Sequence, residues 1–261
     1  LSKGATMSTY GFIGTGNMAQ AMMKGLLRQG VPAKDIHITS PRSAEKLAAE
    51  LGVVAMSPES LVAASDLVVL AFLPNQLEKI VQPLNLQDKL VVSVLAGVTL
   101  ETLSAATKST QIVRTLPNVN VAINQGVIAY ASTVLSATHE KVFQQFVDSL
   151  GQHFDVSESQ FATFSAVAGS GPAYVFKFIA ALAQAGTQNG LEATLATKIA
   201  TQTVLGSAEM LTQSDLTAQA LQNAVASPGG STRAGLDDFD TQNFDAVVAH
   251  AILATIKHKH L

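Results

Sequence analysis

The sequence predicts an α/β domain with a doubly wound, mostly parallel sheet, followed by an all-α C-terminal domain. In the first half, short β-branched runs alternate with segments of helical periodicity, which is typical of βαβ units. The runs Val68–Leu73 and Leu90–Leu95 are apolar at consecutive positions, as expected for strands buried on both faces of a parallel sheet. From about Ser159 the strand runs stop, and Ala, Leu, Thr and Gln dominate. The predicted domains therefore span residues 7–158 and 159–261.

The elements of the first domain follow these runs in chain order. We predict strands at Thr9–Ile13, Asp35–Thr39, Asp66–Leu73, Lys89–Leu95, Gln111–Arg114, Gly126–Ala131 and Gln152–Val156. Apolar residues at helical spacing predict helices at Met18–Gln29, Ala44–Leu51, Ser60–Ala64, Leu77–Val81, Leu100–Ala106 and His139–Leu150. Because helices link most successive strands, those strands can run parallel.

The second domain is predicted from helical segments alone. They are Ala173–Asn189, Glu192–Leu211, Asp215–Ala224 and Asn243–His258, with a loop at Ser227–Thr232 where Pro-Gly-Gly stops a helix. The stretch Tyr174–Ala185 is apolar nearly all round, so it belongs to a larger core or to an interface between subunits.

Length and composition exclude several classes of protein. The chain has 261 residues, of which 48% are hydrophobic and 13% charged, and no cysteine, so a disulfide scaffold and a Cys-based zinc site are both excluded. A net charge of −3 attracts neither nucleic acid nor an anionic membrane. Apolar runs such as Leu67–Leu73 are shorter than the ~18 residues of a membrane span. No apolar stretch follows a basic N-terminus, and Leu1–Thr6 precede Met7, so we expect a cytoplasmic protein without membrane or nucleic-acid partners.

A glycine-rich turn follows the first predicted strand. Gly14-x-Gly16-x-x-Ala19 opens a helix, and this pattern predicts a tight turn, close backbone approach to a pyrophosphate, and tight helix–strand packing. The pyrophosphate would meet the helix N-terminus. This context favours a Rossmann-type dinucleotide-binding domain, the alternative being a glycine-rich turn that binds nothing.

The end of the second predicted strand discriminates between nicotinamide cofactors. A carboxylate there accepts a hydrogen bond from the ribose 2′-hydroxyl of NAD, whereas Thr39–Ser43 offers hydroxyls and the Arg42 guanidinium without an acid. The segment therefore favours NADP. The alternative is an ordinary turn in which Ser43 caps the next helix.

Two Gly/Ser/Pro clusters interrupt the helical half. Ala168–Tyr174 and Ser227–Thr232 each end where a helix can begin, which leaves backbone N–H groups and hydroxyls free for a small anion such as a carboxylate. The alternative is a pair of ordinary connections between helices.

Taken together, these motifs resemble the pyrroline-5-carboxylate reductase family from Met7 to the C-terminal helix. The segments that carry the resemblance are Phe12–Ala19, Arg114–Asn118, Gly169–Tyr174, Gln202–Gly206 and Ser227–Leu236. The resemblance implies that NADPH, with NADH as a weaker substitute, reduces L-1-pyrroline-5-carboxylate to L-proline in the last step of proline biosynthesis. It also implies a homo-oligomer with a dimer as the minimum unit, in some members assembled into decamers.

The resemblance also assigns roles to residues. Thr232 is the catalytic residue, which orients the ring nitrogen and relays a proton from water. The residues implied to bind the substrate are Val225, Gly229, Gly230, Ser231 and Thr232. Those implied to bind the cofactor are Ile13, Gly14, Thr15, Gly16, Asn17, Met18, Ser40, Arg42, Ser43, Ala71, Phe72, Leu73, Pro74, Ala96, Gly97, Pro117 and Asn118.

The chain departs from the family pattern at three places. Phe72-Leu73-Pro74 replaces Val-Lys-Pro, so any contact by that lysine is lost. Leu116 stands where methionine is usual, and Arg233 stands where an apolar residue is usual. The arginine is expected to alter the rim of the substrate pocket or the substrate range.

Two other functions remain as alternatives. A β-hydroxyacid dehydrogenase or imine reductase shares this two-domain build, but the lysine of a hydroxyacid enzyme would fall at Val175, and Lys177 lies on a different helix face. A dinucleotide-binding sensor without catalysis is the other alternative, and a turnover assay separates it.

Several further residues predict little chemistry. The six histidines lack metal-ligand spacing, so no metal site is expected. Tyr174 is interpreted as a packing residue, and the role of Arg114 is left open between a phosphate contact and none. An acidic cluster near the C-terminus is interpreted as part of a solvated loop. It consists of Asp237, Asp238 and Asp240.

Overall fold

The computed structural model of the protein describes residues 8–258 and divides into two compact units. Of the described residues, the first unit contains 8–170 and the last turn of the C-terminal helix at 256–258, and the second spans Gly171–Thr255. The boundary predicted at residues 158 and 159 lies inside the first unit. The domain assignment to residues 7–158 and 159–261 stays a prediction.

An eight-stranded sheet forms the centre of the first unit. Its strands are β1 Tyr10–Ile13, β2 Ile36–Thr39, β3 Val54–Ala55, β4 Leu67–Leu70, β5 Leu90–Ser93, β6 Ile112–Pro117, β7 Gly126–Ser132 and β8 Gly151–Asp155. They are ordered β3-β2-β1-β4-β5-β6-β7-β8, and every neighbouring pair is parallel except β6 and β7. The doubly wound, mostly parallel α/β class is therefore confirmed. Only β3 was not predicted, because it is two residues long and lies in the short apolar stretch Val53–Met56.

Seven helices belong to this unit: α1 Asn17–Arg28, α2 Ala44–Leu51, α3 Pro58–Ala64, α4 Leu77–Val81, α5 Leu100–Thr107, α6 Ala137–Asp148 and α7 Phe161–Phe164. Helices α1, α2 and α6 cover one face of the sheet, and α3, α4 and α5 cover the other. Phe12 of β1 enters the first core while its neighbour Ile13 enters the second. Side chains alternate across a strand, so a strand with a core on each face is apolar at consecutive positions, as predicted.

The second unit is all-helical. Its helices are α8 Gly171–Gln188, α9 Ala193–Thr212, α10 Ala218–Val225, α11 Ser231–Thr241 and α12 Phe244–His258. Large apolar side chains stay exposed within the chain, including those of Phe176, Leu205, Val247 and Leu253. A monomer in water would carry an unusually large apolar surface there.

Helix α11 corrects the sequence analysis. The loop predicted at Ser227–Thr232 ends at Gly230, and the acidic residues predicted to lie in a loop are on α11 instead. Arg233 pairs with Asp237 at 2.8 Å and with Asp240 at 3.5 Å, and such pairs along one helix face stabilise a polar helix that has no strong apolar pattern. The cluster Ala168–Tyr174 also differs from expectation, because a π-helical turn at Ser165–Gly169 leads directly into α8.

One helical stretch of the described chain, Glu158–Gln188, is long and apolar enough to cross a membrane by length and composition. Its most apolar window has a mean hydropathy of 1.4. A helix that packs against another subunit has the same composition, so the expected absence of a membrane partner stays a prediction.

Candidate cofactor and substrate site

The predicted cofactor residues all follow or end strands at one edge of the sheet. Strands β1, β2, β4, β5 and β6 are mutually parallel, with Ile13 opposite both Thr39 and Leu70, and Leu70 opposite Ser93. Parallel strands end at the same edge, where open α/β sheets bind ligands. That edge brings together Ile13–Met18, Ser40–Ser43, Ala71–Pro74, Ala96–Gly97 and Pro117–Asn118.

The chain order reverses between β1 and β4, and Gly14 lies at this switch point. Gly14 has φ +107°, and a Cβ atom there would lie 2.1 Å from the backbone oxygen of Ala71. Its N–H donates to the Thr39 carbonyl at 2.9 Å, and the Ala71 N–H donates to the Ile13 carbonyl at 2.9 Å. No residue with a side chain fits here, so the glycine is needed for the turn itself.

Gly16 has a different reason to be glycine. It is the N-cap of α1 without a side-chain cap, and a Cβ atom added there would meet no atom of residues 8–258 within 4 Å. No described neighbour therefore demands glycine, and the space beside this residue at the start of α1 is open. This cradle fits a pyrophosphate, because the free N–H groups and the positive helix end both attract anions.

A group of hydroxyls lies beside this cradle at the end of β2. The Thr15 and Ser43 hydroxyl oxygens are 2.6 Å apart, and those of Ser43 and Ser40 are 3.1 Å apart. Ser43 occupies the N-cap position of α2, but its side chain makes no capping bond. Arg42 is exposed and forms no ion pair with any residue from 8 to 258. This donor set fits a 2′-phosphate better than a 2′-hydroxyl that needs an acceptor.

Two positions that are predicted to bind the cofactor, Asn118 and Leu73, offer it no polar side-chain contact. The Asn118 side chain is buried, accepts from the N–H groups of Asn120 and Val127, and donates to the Ala168 carbonyl at 3.0 Å. Only its backbone remains for a ligand. Leu73, where the family pattern has lysine, is 64% exposed and supplies an apolar surface instead of a charge.

The role of Arg114, open in the sequence analysis, is a structural one. Its guanidinium pairs with the Glu158 carboxylate at 2.6 Å and stacks over the Phe161 ring, 4.4 Å from the centroid. The same Glu158 oxygen accepts from the N–H of Leu100, the first residue of α5. Arg114 therefore ties β6 to the start of α5 and is not free for a phosphate.

In the second unit, the predicted substrate residues surround the start of α11. The Gly230 N–H donates to the Ser227 carbonyl at 3.0 Å, and Gly229 has φ +73°, which fits a type II turn with Pro228 and glycine at its centre. Val225 ends α10 with 68% of its surface exposed. The turn leaves the first N–H groups of α11 unpaired within the helix, which suits a carboxylate.

Thr232 is the second residue of α11. The N-cap is Gly230, so Thr232 does not cap the helix. Its hydroxyl is exposed and makes no hydrogen bond with the described part of the chain. Arg233, the departure beside it, is held by Asp237 and Asp240 further along α11. Tyr174 packs within the same unit, where its hydroxyl bonds to that of Thr255.

Comparison with known proteins identifies both parts of the chain. Residues 9–97 match the family described as NADP oxidoreductase, coenzyme F420-dependent, and residues 158–260 match pyrroline-5-carboxylate reductase dimerisation. The chain is 35% identical to the pyrroline-5-carboxylate reductase of Aquifex aeolicus, covering 94% of each protein.

Two solved structures extend the similarity to the fold. The 1-pyrroline-5-carboxylate reductase of Streptococcus pyogenes is 36% identical with a TM-score of 0.84, covering 96% of this chain and 97% of that one. The pyrroline carboxylate reductase of Plasmodium falciparum, solved with NADP bound, is 28% identical with a TM-score of 0.85, covering 96% of both chains. Identity at this level over nearly the full length confirms the resemblance, and the chain belongs to the pyrroline-5-carboxylate reductase family.

Proposed function

We propose that this chain transfers a hydride from NADPH to L-1-pyrroline-5-carboxylate and so forms L-proline, the last step of proline biosynthesis. The observation that carries the proposal is the open cradle at Gly16, at the carboxyl edge of a doubly wound sheet in a member of this family. NADPH, when bound, supplies the hydride from C4 of its nicotinamide ring. The hydride goes to the imine carbon, and the ring nitrogen keeps the π electron pair and ends protonated.

The residues of α11 hold the substrate in this proposal. The N–H groups of Ser231 and Thr232 bind the carboxylate. The Gly230 N–H, expected to join them, instead donates to the Ser227 carbonyl at 3.0 Å, and Gly230, Val225 and Gly229 line the same turn. The free Thr232 hydroxyl orients the nitrogen and passes a proton from water, since a threonine hydroxyl is too weak an acid to act alone. Most of the rate acceleration comes from holding the cofactor and the substrate in the geometry that the reaction requires.

The cofactor in this proposal is NADPH, with NADH as a weaker substitute. Ser40, Ser43 and Arg42 stand at the end of β2, where no carboxylate is present to accept from a 2′-hydroxyl. Hydroxyl and guanidinium donors supply charge-assisted hydrogen bonds to a 2′-phosphate.

The chain carries a dimerisation domain of this family, which supports a homo-oligomer with a dimer as its minimum. We propose that the dimer forms through the exposed apolar helices and that dimers assemble further, up to a decamer. The small-molecule substrate is the expected partner, with no nucleic acid, no membrane and no metal, in the cytoplasm. A net charge of −3 supports the absence of nucleic acid.

The test is a turnover assay with both cofactors and two cyclic imines. Oxidation of NADPH and NADH is followed with pyrroline-5-carboxylate and with its six-membered analogue. We expect proline to form, with NADPH giving the higher kcat/KM. Binding of NADPH without turnover of either imine would favour a sensor, and oxidation of a β-hydroxyacid instead would favour the dehydrogenase alternative.

A further inference from the structure

We propose that Thr15, although it lies in the pyrophosphate turn, is a positioning residue for the 2′-phosphate. It would act through a chain of hydroxyls that joins Thr15 to Ser43 and Ser43 to Ser40. The inference rests on the proposed NADPH preference and names a residue that sets it. Thr15 and Ser43 are 28 positions apart, so no local motif suggests this link.

The direction of the chain follows from hydrogen-bond accounting. A hydroxyl has one hydrogen to donate. Thr15 is buried, and its Oγ1 has Ser43 as its sole partner among the described residues. If Ser43 donated to Thr15, the Thr15 hydrogen would be buried without an acceptor, which is unfavourable. Thr15 therefore donates to Ser43.

The same accounting applies to the next bond. Within residues 8–258, the only further partner of Ser43 is Ser40, and either hydroxyl can donate in the bond between them. In both arrangements one of the two hydrogens is left without an acceptor in that part of the chain. The hydroxyl that carries it is presented to a ligand as a donor, which suits a phosphate oxygen.

The backbone at Ser43 shows separately that its hydroxyl belongs to this cluster and does not cap α2. Four other Ser or Thr N-caps, namely Ser57, Thr99, Ser136 and Thr217, have extended backbones and accept the expected capping bond. Ser43 has φ −127° and ψ −6° and makes no capping bond. Its hydroxyl is committed to Thr15 and Ser40 instead, at the expense of a cap that other helices of this chain form.

Donors therefore gather where the 2′ substituent of the cofactor would lie. The serine hydroxyls and the Arg42 guanidinium, which has no ion pair within the described chain, all offer donors, and no carboxylate lies among residues 40–43. Loss of the Thr15 hydroxyl would remove the donor that holds the Ser43 oxygen, so Ser43 and Ser40 would no longer be held in position for the 2′-phosphate. The affinity for NADP⁺ should therefore fall more than the affinity for NAD⁺.

The experiment measures the binding of NADP⁺ and NAD⁺ to the full chain by calorimetry, without substrate. The variants are Thr15→Val, which keeps the shape and removes the hydroxyl, and Thr15→Ser, which keeps the hydroxyl. We expect Thr15→Val to reduce the NADP⁺/NAD⁺ affinity ratio by about five- to tenfold, with NAD⁺ binding changed less than about twofold. Thr15→Ser should restore the ratio.

A double-mutant cycle tests the chain as a unit. Ser43→Ala should reduce the NADP⁺/NAD⁺ affinity ratio as much as Thr15→Val does. The double variant should reduce that ratio no further than either single variant, because the effects of substitutions within one hydrogen-bond network are not additive. Thr102→Val serves as the matched control, since it removes the exposed hydroxyl contact between Thr99 and Thr102 at 3.0 Å. If Thr15→Val does not fold, Ser43→Ala and Ser40→Ala carry the test.

The outcomes separate this inference from the proposed function. An unchanged ratio in Thr15→Val, or an equal loss of both cofactors, would overturn the hydroxyl chain while the parent protein keeps its preference. Equal binding of both cofactors by the parent would overturn the chain and the NADPH preference together. Proline formation by the parent tests the reductase function separately.

Discussion

At the residue scale, substitution of Thr232 tests its proposed catalytic role. We expect Thr232→Ala to lower kcat by about tenfold to a hundredfold, because an orienting donor is lost, with NADPH affinity nearly unchanged. Thr232→Ser should recover much of the rate. Gly230 caps α11 and the Thr232 hydroxyl has no partner among residues 8–258, so the thermal midpoint should move little. A variant that melts earlier yet turns over normally would contradict the assignment.

Arg42 tests the cofactor preference. Its guanidinium is exposed and has no ion pair within the described chain, so it is available to a 2′-phosphate. Because a charge-assisted hydrogen bond contributes about 1.5–3 kcal/mol, Arg42→Ala should narrow the NADPH/NADH ratio of kcat/KM roughly tenfold or more. Lys46→Ala, which removes an exposed cation nearby on α2, is the matched control. The same loss in both variants would indicate general charge attraction instead.

Tyr10 makes the stability of the first unit sensitive to alkaline pH. Burial, aided by the charge of Asp66, raises the pKa of Tyr10 to about 12. The unfolded chain ionises this group near pH 10. Between these values the folded state holds the proton and the unfolded state releases it, so the free energy of unfolding falls as pH rises.

We therefore expect this residue to remove about 1 kcal/mol of stability between pH 9 and pH 11. Urea unfolding at both pH values measures it, with Tyr10→Phe as the control. The variant keeps the ring that packs 5.2 Å from Phe146 but cannot ionise. An equal decline in both proteins would assign the effect to other groups.

At the scale of secondary-structure elements, Glu158 connects β6, α5 and α7. Its carboxylate pairs with Arg114 on β6 and accepts from the N–H of Leu100 on α5, and the residue itself lies just before α7 in the chain. Arg114 is buried, so removal of its partner leaves a buried charge, while the Glu158 side chain is 32% exposed and moderates the loss. We expect Glu158→Ala to reduce the free energy of unfolding by about 1–3 kcal/mol.

Glu158→Gln should lose less stability than Glu158→Ala, because the amide oxygen still accepts from the Arg114 guanidinium and the Leu100 N–H. Glu50→Ala, an exposed acid on α2, is the control and should change stability by less than about 0.5 kcal/mol. Chemical unfolding of the three variants measures the difference. Equal stability of Glu158→Ala and the parent would show that the pair adds nothing to the fold.

At the scale of the whole molecule, the helical unit requires a partner. Phe176 is 62% exposed within a single chain, in a segment that belongs to a dimerisation family. We expect at least a dimer, with no stable folded monomer, because the interface also serves as core. Sedimentation at micromolar concentration measures this, and a folded, active monomer would refute it.

A pair of charge substitutions locates the interface. Phe176→Asp should weaken association and make the thermal midpoint fall and depend on protein concentration. Val134→Asp, at a position 92% exposed in the first unit, is the matched control and should leave the sedimentation of the protein unchanged.

The features that the sequence predicts correctly are those encoded in a few adjacent residues. Seven strands and the turn at Gly14 fall where their local patterns place them, because a strand buried on both faces needs a consecutive apolar run and the turn needs a positive φ. Helix α11 was missed because its segment is polar and lacks a clear apolar stripe, while the ion pairs of Arg233 with Asp237 and Asp240 are visible only once the helix is formed.

Thus the sequence by itself determined the doubly wound class, the phosphate turn and the motifs of the family. The tertiary structure alone decided that Thr15 hydrogen-bonds to Ser43, that Arg114 is paired with Glu158, and that the Asn118 side chain donates to the Ala168 carbonyl and is not available to a ligand. These partners are separated by 28, 44 and 50 positions along the chain. Local patterns report backbone conformation, whereas such pairings depend on strand register and on the packing of distant elements, which no short segment of sequence encodes.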